Sequence, residues 1–297
     1  MEYHQLGSSS LQVSEIGLGC MSLPASDPAT ALAIIDRALE LGINFFDTAD
    51  LYDKGENELL VGKALRHKRD QVIIATKVGN QWRPDGSGWD WNPTKAYIIS
   101  AVEKSLRRLQ TDYIDLYQLH GGTIDDPIDE TIEAFEQLQQ EGKIRFYGIS
   151  SIRPNVIRAY VSRANIVSVM LQYSLADRRP EETVVELLAK NKIGVLSRGA
   201  LAQGMLAGKP PKEYLGHATA DLQQAADMVN SIAKDNKSAA AVGTAFVLTN
   251  AAVTSAIIGC SSVKQLEEVA LLQPELSEDD YKKLQQQLPA KFYEQHR

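Results

Sequence analysis

The sequence is poor in several features that would assign a protein to a class at once. It has two cysteines, Cys20 and Cys260, in 297 residues. They are far apart and lack metal-ligand spacing, which excludes a disulfide framework and leaves both as small apolar side chains of a reduced chain. No apolar run approaches the roughly 18 residues needed to span a bilayer. The start, MEYHQLGSSS, lacks the charged and apolar regions of a secretory signal, so the expected location is cytoplasmic and no membrane partner is expected. Lys and Arg form no cluster and the formal net charge is −7. Nucleic acid, which draws on a concentrated basic surface, is therefore not an expected partner. No Pro/Gly-rich linker or low-complexity tract interrupts the chain, so residues 1–297 are expected to form one domain. The GxGxxG fingerprint of an open nucleotide-binding sheet is also missing after the first apolar run, where GLGCMS is a weak approximation.

What is present is a repeat. Eight short runs rich in Val, Ile and aromatics follow one another: VSEIGLG, INFFDTA, QVIIATK, YIDLYQLH, IRFYGIS, IVSVMLQYS, IGVLSRG and TSAIIGC. Between them lie stretches such as ATALAIIDRALELG from Ala29, IISAVEKSLRRLQ from Ile98 and TIEAFEQLQQEGK from Thr131, whose apolar residues recur at three and four. Strict alternation of strand and helix implies a parallel sheet covered by helices, and eight units are the number that closes a (β/α)8 barrel. A hydrophobic content of 44% is enough for such a core. Two segments fall outside the repeat. EYHQLGSSSLQVS has strand-like ends around Gly7-Ser8-Ser9, which predicts a β-hairpin plugging the barrel bottom. Gly79 to Pro93, with Trp82, Trp89 and Trp91 among Gly and Pro, predicts a long loop after the third strand, its tryptophans serving either to pack the loop or to wall a pocket.

In a barrel enzyme the chemistry sits at the C-terminal ends of the strands. The second run ends in Asp47, the third in Lys77, the fourth in His120, the fifth in Ser150 and Ser151, the sixth in Gln172, the seventh in Ser197 and Arg198, and the eighth in Gly259 to Ser262. Asp47, Lys77 and His120, on three neighbouring strand ends, can reach a common point. Tyr52, five residues past Asp47, can fold back over it. Tyrosine ordinarily keeps its proton until about pH 10, so donating it near neutrality requires a neighbour that stabilises phenolate. Lys77 offers that charge, Asp47 keeps it fixed, and His120 can position a substrate oxygen. Taken singly, each of these residues is better explained as a packing residue, a surface cation or a core histidine; it is their joint occurrence that points to a site.

These residues lie in segments that resemble the aldo-keto reductase superfamily over essentially the whole chain. FFDTADLYDKGENELLVGKAL, Phe45 to Leu65, resembles its signature, ATKV carries the lysine, and TDYIDLYQLH, Thr111 to His120, is similar to its fourth-strand motif. RGALAQGMLAGK and IIGCSSVKQLEE resemble its two cofactor segments. The resemblance implies a catalytic tetrad of Asp47, Tyr52, Lys77 and His120, with NADPH, or alternatively NADH, lying across the rim and no metal. It implies that Gly19, Cys20, Met21 and Asp47 border the cofactor, that Ser150, Ser151 and Gln172 hold the carboxamide, and that Ser197 and Arg198 lie beside the ring. By the same resemblance Gly199, Ala200, Leu201, Gln203, Gly204 and Lys209 wrap the pyrophosphate, and Gly259, Cys260, Ser261, Ser262, Lys264, Gln265 and Glu268 surround the adenosine end. The chain departs from the family pattern at Ser151, where Asn is usual, and at Arg198, where an aromatic commonly stacks on the ring. It departs again at Val269, which replaces a common Asn, and at Gln265, where many NADPH-specific members carry Arg. Lys264 and Ser261 are the candidate partners of a 2′-phosphate.

The implied reaction is reduction of an aldehyde or ketone. Two other readings stay open at this level: a Schiff-base lyase or aldolase with Lys77 as nucleophile, and a cofactor-binding regulatory protein that turns over slowly. SEDDYKKLQQQL near the C-terminus predicts one more helix, and the short tail after it implies an open pocket with broad aldehyde tolerance. The sequence does not indicate an oligomeric state.

Overall fold

The computed structural model describes residues 1–233, 238–271 and 276–297. The chain opens with an antiparallel hairpin, β1 (Tyr3–Gln5) and β2 (Gln12–Ser14), and then enters the repeat with β3 (Ile16–Gly19), β4 (Phe45–Asp47) and β5 (Ile73–Val78). A second antiparallel pair follows, β6 (Asn80–Trp82) and β7 (Trp89–Trp91). The repeat resumes with β8 (Ile114–Leu119), β9 (Ile144–Ser150), β10 (Ser168–Gln172), β11 (Gly194–Arg198) and β12 (Val253–Ile258). Strands β3, β4, β5 and β8 to β12 close into a barrel in sequence order, with β12 pairing β3 and every pairing parallel. Helices cover its outside, among them Pro28–Glu40, Lys95–Leu109, Ile128–Gln140 and Glu278–Gln287, which take up all but the last one to three residues of the stretches predicted from spacing and, in the fourth stretch, all but its first residue as well. The fold is the expected (β/α)8 barrel.

Because strand side chains alternate, each barrel strand feeds two cores. Phe45, Ile73, Ala75, Leu116, Met170, Leu196 and Ile257 fill the interior, whereas Phe46, Ile74, Val78 and Tyr117 pack outward against the helices. The interior is closed from below by Leu6, Leu11 and Val13 of the first hairpin, all buried in the same inner cluster. The turn of that hairpin sits against the entering ends of β10 and β11. Gly7 has φ +56, and a Cβ there would lie 2.1 Å from the carbonyl oxygen of Val167, so no larger residue fits. With the bottom and middle of the barrel filled by apolar side chains, the upper inward positions of β4, β5 and β8 are polar: Asp47, Lys77 and Gln118.

The segment predicted as a loop, Gly79 to Pro93, is instead folded over most of its length as the β6–β7 hairpin. Arg83 and Asp90 pair across it at 2.6 Å, Trp82 lies opposite Trp89, and Pro84-Asp85-Gly86-Ser87 makes the turn, with Ser87 N–H donating to Asp85 Oδ1 at 2.9 Å. That turn chemistry supports pairing although the flanking residues are too polar to read as strands. Gly79 has φ +125, and a Cβ there would be 2.5 Å from the Trp91 ring, so the hairpin leaves β5 only through glycine. Trp82 donates to the Leu51 carbonyl at 3.2 Å and Trp91 to Asp126 Oδ1 at 2.9 Å, while Trp89 is exposed. Two of the three tryptophans therefore anchor the hairpin to the loops beside it.

Candidate active site

At the upper rim, β4 and β5 run side by side with Asp47 opposite Ala75, and the ladder continues past β4 as Thr48 N–H bonds Ala75 O at 2.9 Å and Asp50 N–H bonds Lys77 O at 3.3 Å. This extension carries the chain to a tight turn in which Tyr52 N–H bonds Ala49 O at 3.2 Å, and so returns Tyr52 over the barrel mouth. Asn57 fixes the turn from outside. It accepts from Thr48 Oγ1 at 2.7 Å and donates to Cys20 O at 2.9 Å.

Lys77 lies at the centre of this arrangement, 1% exposed. Its Nζ donates to Asp47 Oδ1 at 2.5 Å, to Thr48 O at 2.8 Å and to Tyr52 Oη at 3.2 Å. Gln118, on β8, donates to the other oxygen of Asp47 at 3.2 Å. Burial works against charge on both members of the pair. It pushes the Asp47 carboxyl up, against the pull of Lys77 and the Gln118 hydrogen bond. Lys77 nevertheless stays above its ordinary value, because the opposition of Asp47 and Tyr52 outweighs burial. The imidazole of His120 stands edge-on to the Tyr52 ring, with centroids 5.8 Å apart and planes at 84°. Burial, then Lys77 and Arg198, push His120 down to about 3, so it is neutral near pH 7. Its Nδ1 is buried without a hydrogen-bond partner. The four residues expected to converge do so at the upper end of the barrel.

Comparison with known proteins decides the family. Residues 15–288 match the Aldo/keto reductase family. The chain is 50% identical to an uncharacterized oxidoreductase of Bacillus subtilis, YqkF, with 100% of both chains covered. The aldo-keto reductase AKR11C1 from Bacillus halodurans, solved in its holo form, is 50% identical and superposes with a TM-score of 0.93, covering 100% of this chain and 99% of that one. The glycerol dehydrogenase AKR11B4 from Gluconobacter oxydans is 26% identical with a TM-score of 0.87, covering 99% and 98%. The chain belongs to the aldo/keto reductase family. Its members are oxidoreductases.

The remaining residues expected around a family cofactor, Ser197 apart, fall into four groups toward the rim of this aldo/keto reductase. Ser150, Ser151 and Gln172 end β9 and β10 beside the mouth, and Gln172 is already engaged: Nε2 donates to Tyr214 Oη at 2.6 Å and Oε1 accepts from Arg198 at 3.5 Å. After β11, the loop through Gly199, Ala200, Leu201, Gln203 and Gly204 has an unusual run of left-handed backbone, with φ +73 at Gly199, 47 at Ala202, 61 at Gln203 and 92 at Gly204. The Lys209 side chain folds back over Gly204. After β12, Ser262 caps the helix Val263–Ala270, and Gln265 Oε1 accepts from Ser261 N–H at 2.9 Å. Lys264 is exposed, with Glu268 at 3.8 Å, and Gly259 borders the mouth next to buried Cys260. Gly19 and exposed Met21 flank Cys20, which is fully buried, its thiol pushed well up by burial. Ser197 is not presented to the rim. Alternation turns it outward from Leu196, and its hydroxyl donates to Tyr173 O at 3.0 Å.

Sequence reasoning overlooked Gln118, Asn57 and Tyr214. Gln118 was legible in principle, since it lies two residues before His120 and shares the inward parity of Leu116. Tyr214 carries no such signal, because 42 residues separate it from its partner Gln172.

Proposed function

We propose that the protein is an NADPH-dependent carbonyl reductase acting on a small aldehyde or ketone, with NADH as the alternative cofactor. The observation that carries the reading is the reach of one buried ammonium, Lys77, from Asp47 at 2.5 Å to the Tyr52 hydroxyl at 3.2 Å. Tyr52 donates its proton to the oxygen of the carbonyl as that oxygen becomes an alkoxide. Lys77 stabilises the phenolate left behind, and Asp47, itself held by Gln118, keeps Lys77 charged and in place. His120, neutral, hydrogen-bonds and orients the same oxygen without adding a second positive charge beside Lys77.

The rim fits a nicotinamide dinucleotide. The loop between Gly199 and Gly208 has left-handed backbone at Gly199, Ala202, Gln203, Gly204 and Gly208, which lets the chain pass close to a phosphate, and the Ser262-capped helix offers N-terminal N–H groups. Gln172, with Ser150 and Ser151, would hold the carboxamide, and Lys264 with Ser261 a 2′-phosphate. When bound there, the cofactor supplies the hydride that reduces the carbonyl carbon. Two buried, unpaired cysteines suit a reducing compartment, which supports a cytoplasmic setting.

Lys77 is poorly placed for Schiff-base chemistry. An amine nucleophile must lose its charge and meet the substrate, whereas this one is buried, ion-paired and held above its ordinary value. A panel of aldehydes and ketones assayed with NADPH and NADH in parallel tests the reading. Carbonyl-dependent oxidation of reduced cofactor at ordinary enzyme rates is expected. Cofactor binding with negligible turnover across the panel would instead favour a regulatory role, and borohydride trapping of substrate on Lys77 a lyase.

A further inference from the structure

Behind the loop that carries Tyr52 lies a cleft that the proposed chemistry does not use. Asp50 and Lys54 of that loop form one wall and Trp82 of β6 another, while Tyr97, Lys104 and Arg108 line the third from the helix Lys95–Leu109. Its volume is about 190 Å³. Drug-sized ligands take roughly 300 Å³ or more, so the cleft suits a compact occupant.

The floor of the cleft has an unsatisfied polar group. Asp50 is 7% exposed, and its Oδ2 accepts from Tyr97 Oη at 3.4 Å, while Oδ1 is buried without a partner. Burial, and then the Glu58 carboxylate, push Asp50 up to about 8 against the pull of Arg108, so near neutrality it retains its proton. Tyr97 Oη also contacts the Asn80 carbonyl at 3.4 Å, so its one hydrogen is shared between two acceptors and leaves the Asp50 carboxyl only weakly held. The result is a protonated carboxyl with one buried oxygen, Oδ1, that nothing engages, an arrangement that native proteins rarely leave unexplained.

The walls supply positive charge. Arg108 gives Nε and one terminal nitrogen to the buried Glu58 at 2.6 Å each, which fixes the guanidinium at the cleft and leaves the other terminal nitrogen over. Asp53 and Lys54 both adopt left-handed backbone, φ 48 and 56, and this brings the Lys54 ammonium 5.2 Å from the centre of the Trp82 ring. Such strain in consecutive non-glycine residues persists where the surroundings hold it. Lys104 is exposed on the same helix as Arg108.

We propose that this cleft binds a compact oxyanion, the phosphate or carboxylate group of a small molecule, held by Lys54, Lys104 and Arg108 and hydrogen-bonded by Asp50 on its floor. The site is separate from the rim, yet its wall is the loop on which Tyr52 sits, and Trp82 ties that loop through Leu51 O at 3.2 Å. Occupancy therefore braces the segment that presents Tyr52.

Calorimetric titration of sulfate and of acetate, in parallel arms, into protein saturated with NADPH tests the proposal with the phosphate-binding loops filled. The expected result is saturable binding at one site, weakened at least tenfold in the double variant Lys54→Gln/Lys104→Gln with NADPH affinity unchanged. Asp50→Asn, which keeps a donor, retains binding, and Asp50→Leu loses it while melting at or above the wild-type temperature. Tighter sulfate identifies a phosphate-type ligand, tighter acetate a carboxylate. Equal binding by wild type and the double variant, or a response that never saturates, overturns the proposal. The same comparison on cofactor-free protein reads the cleft even if NADPH does not bind, so failure here and failure of the reductase reading are distinguishable.

Discussion

Lys77 Nζ donates to Tyr52 Oη at 3.2 Å while bonded more closely to Asp47, so the tyrosine hydroxyl is held against a cation that is itself immobile. Tyr52→Phe removes the proposed proton donor and none of the expected cofactor contacts. A fall in kcat of about 10²- to 10⁴-fold is expected, with the dissociation constant for NADPH nearly unchanged. Near-wild-type turnover in that variant would remove Tyr52 from the proposed role.

Lys77→Met tests the cation separately. It should abolish most activity and shift the pH optimum of what remains, because Tyr52 loses its stabilising neighbour. The change also leaves Asp47 buried without an ionic partner, which costs stability. The double variant Asp47→Asn/Lys77→Met should regain thermal stability over the single variant without regaining turnover. If activity returned with stability, Lys77 would be structural.

His120 gives a prediction with a definite sign. Its ordinary value is 6.5, and burial with Lys77 and Arg198 lowers it to about 3 in the folded protein. The unfolded chain takes up a proton below 6.5 that the native site refuses. The contribution to stability is therefore full above 6.5 and lost as pH falls toward 3, at about 1.4 kcal/mol per pH unit once the unfolded group is protonated. The His120 imidazole resonance, assigned by its absence in His120→Asn, should stay fixed from pH 8 to pH 5. Titration of that resonance near pH 6 would show the ring to be hydrated, and the neutral positioning role would fall.

Much of the barrel and of its reactive rim was legible because the relevant signals are local. Runs of Val and Ile mark strands buried on both faces, and the residue ending each run marks the rim, so Asp47, Lys77 and His120 could be placed without coordinates. Ser197 shows the limit of that reasoning. It too ends a strand, but parity points it outward to Tyr173, and parity is fixed only once the register against β10 is known. The hairpin within Gly79 to Pro93 was missed because Asn80, Gln81 and Asp90 read as polar loop; what holds it is the Arg83–Asp90 pair and two tryptophan N–H groups reaching Leu51 and Asp126. The docking of Tyr214 on Gln172 is a tertiary event that leaves no periodic trace.

Glu58 offers a stability test away from the chemistry. It is fully buried on the helix Glu56–Leu65 and accepts from Thr76 Oγ1 and Arg108 Nε at 2.6 Å each. Glu58→Ala strands a largely buried guanidinium and should cost about 3 kcal/mol or more in urea unfolding. Glu58→Gln, which keeps an acceptor, should cost visibly less. A loss below about 1 kcal/mol for the alanine variant would mean that Arg108 relaxes into solvent.

Arg198 is the departure from the family pattern with the clearest consequence. It ends β11 with the inward parity of Leu196, lies opposite Gln172 in the register, and approaches Gln172 Oε1 at 3.5 Å. Its charge is felt at both His120 and Asp47, which favours a position over the mouth rather than at the distant adenosine end. There a planar guanidinium can lie against the cofactor ring as an aromatic would. The difference is its charge, which at that position would disfavour the cationic oxidised nicotinamide relative to the neutral reduced form and so speed release of oxidised product. Arg198→Tyr should therefore tighten NADP⁺ more than NADPH, as measured by fluorescence titration of both forms against wild type and variant. Equal changes in the two dissociation constants would reject differential stacking. A loss of affinity confined to the 2′-phosphorylated cofactors would instead assign Arg198 to the phosphate, and the bias toward reduction would then need another source.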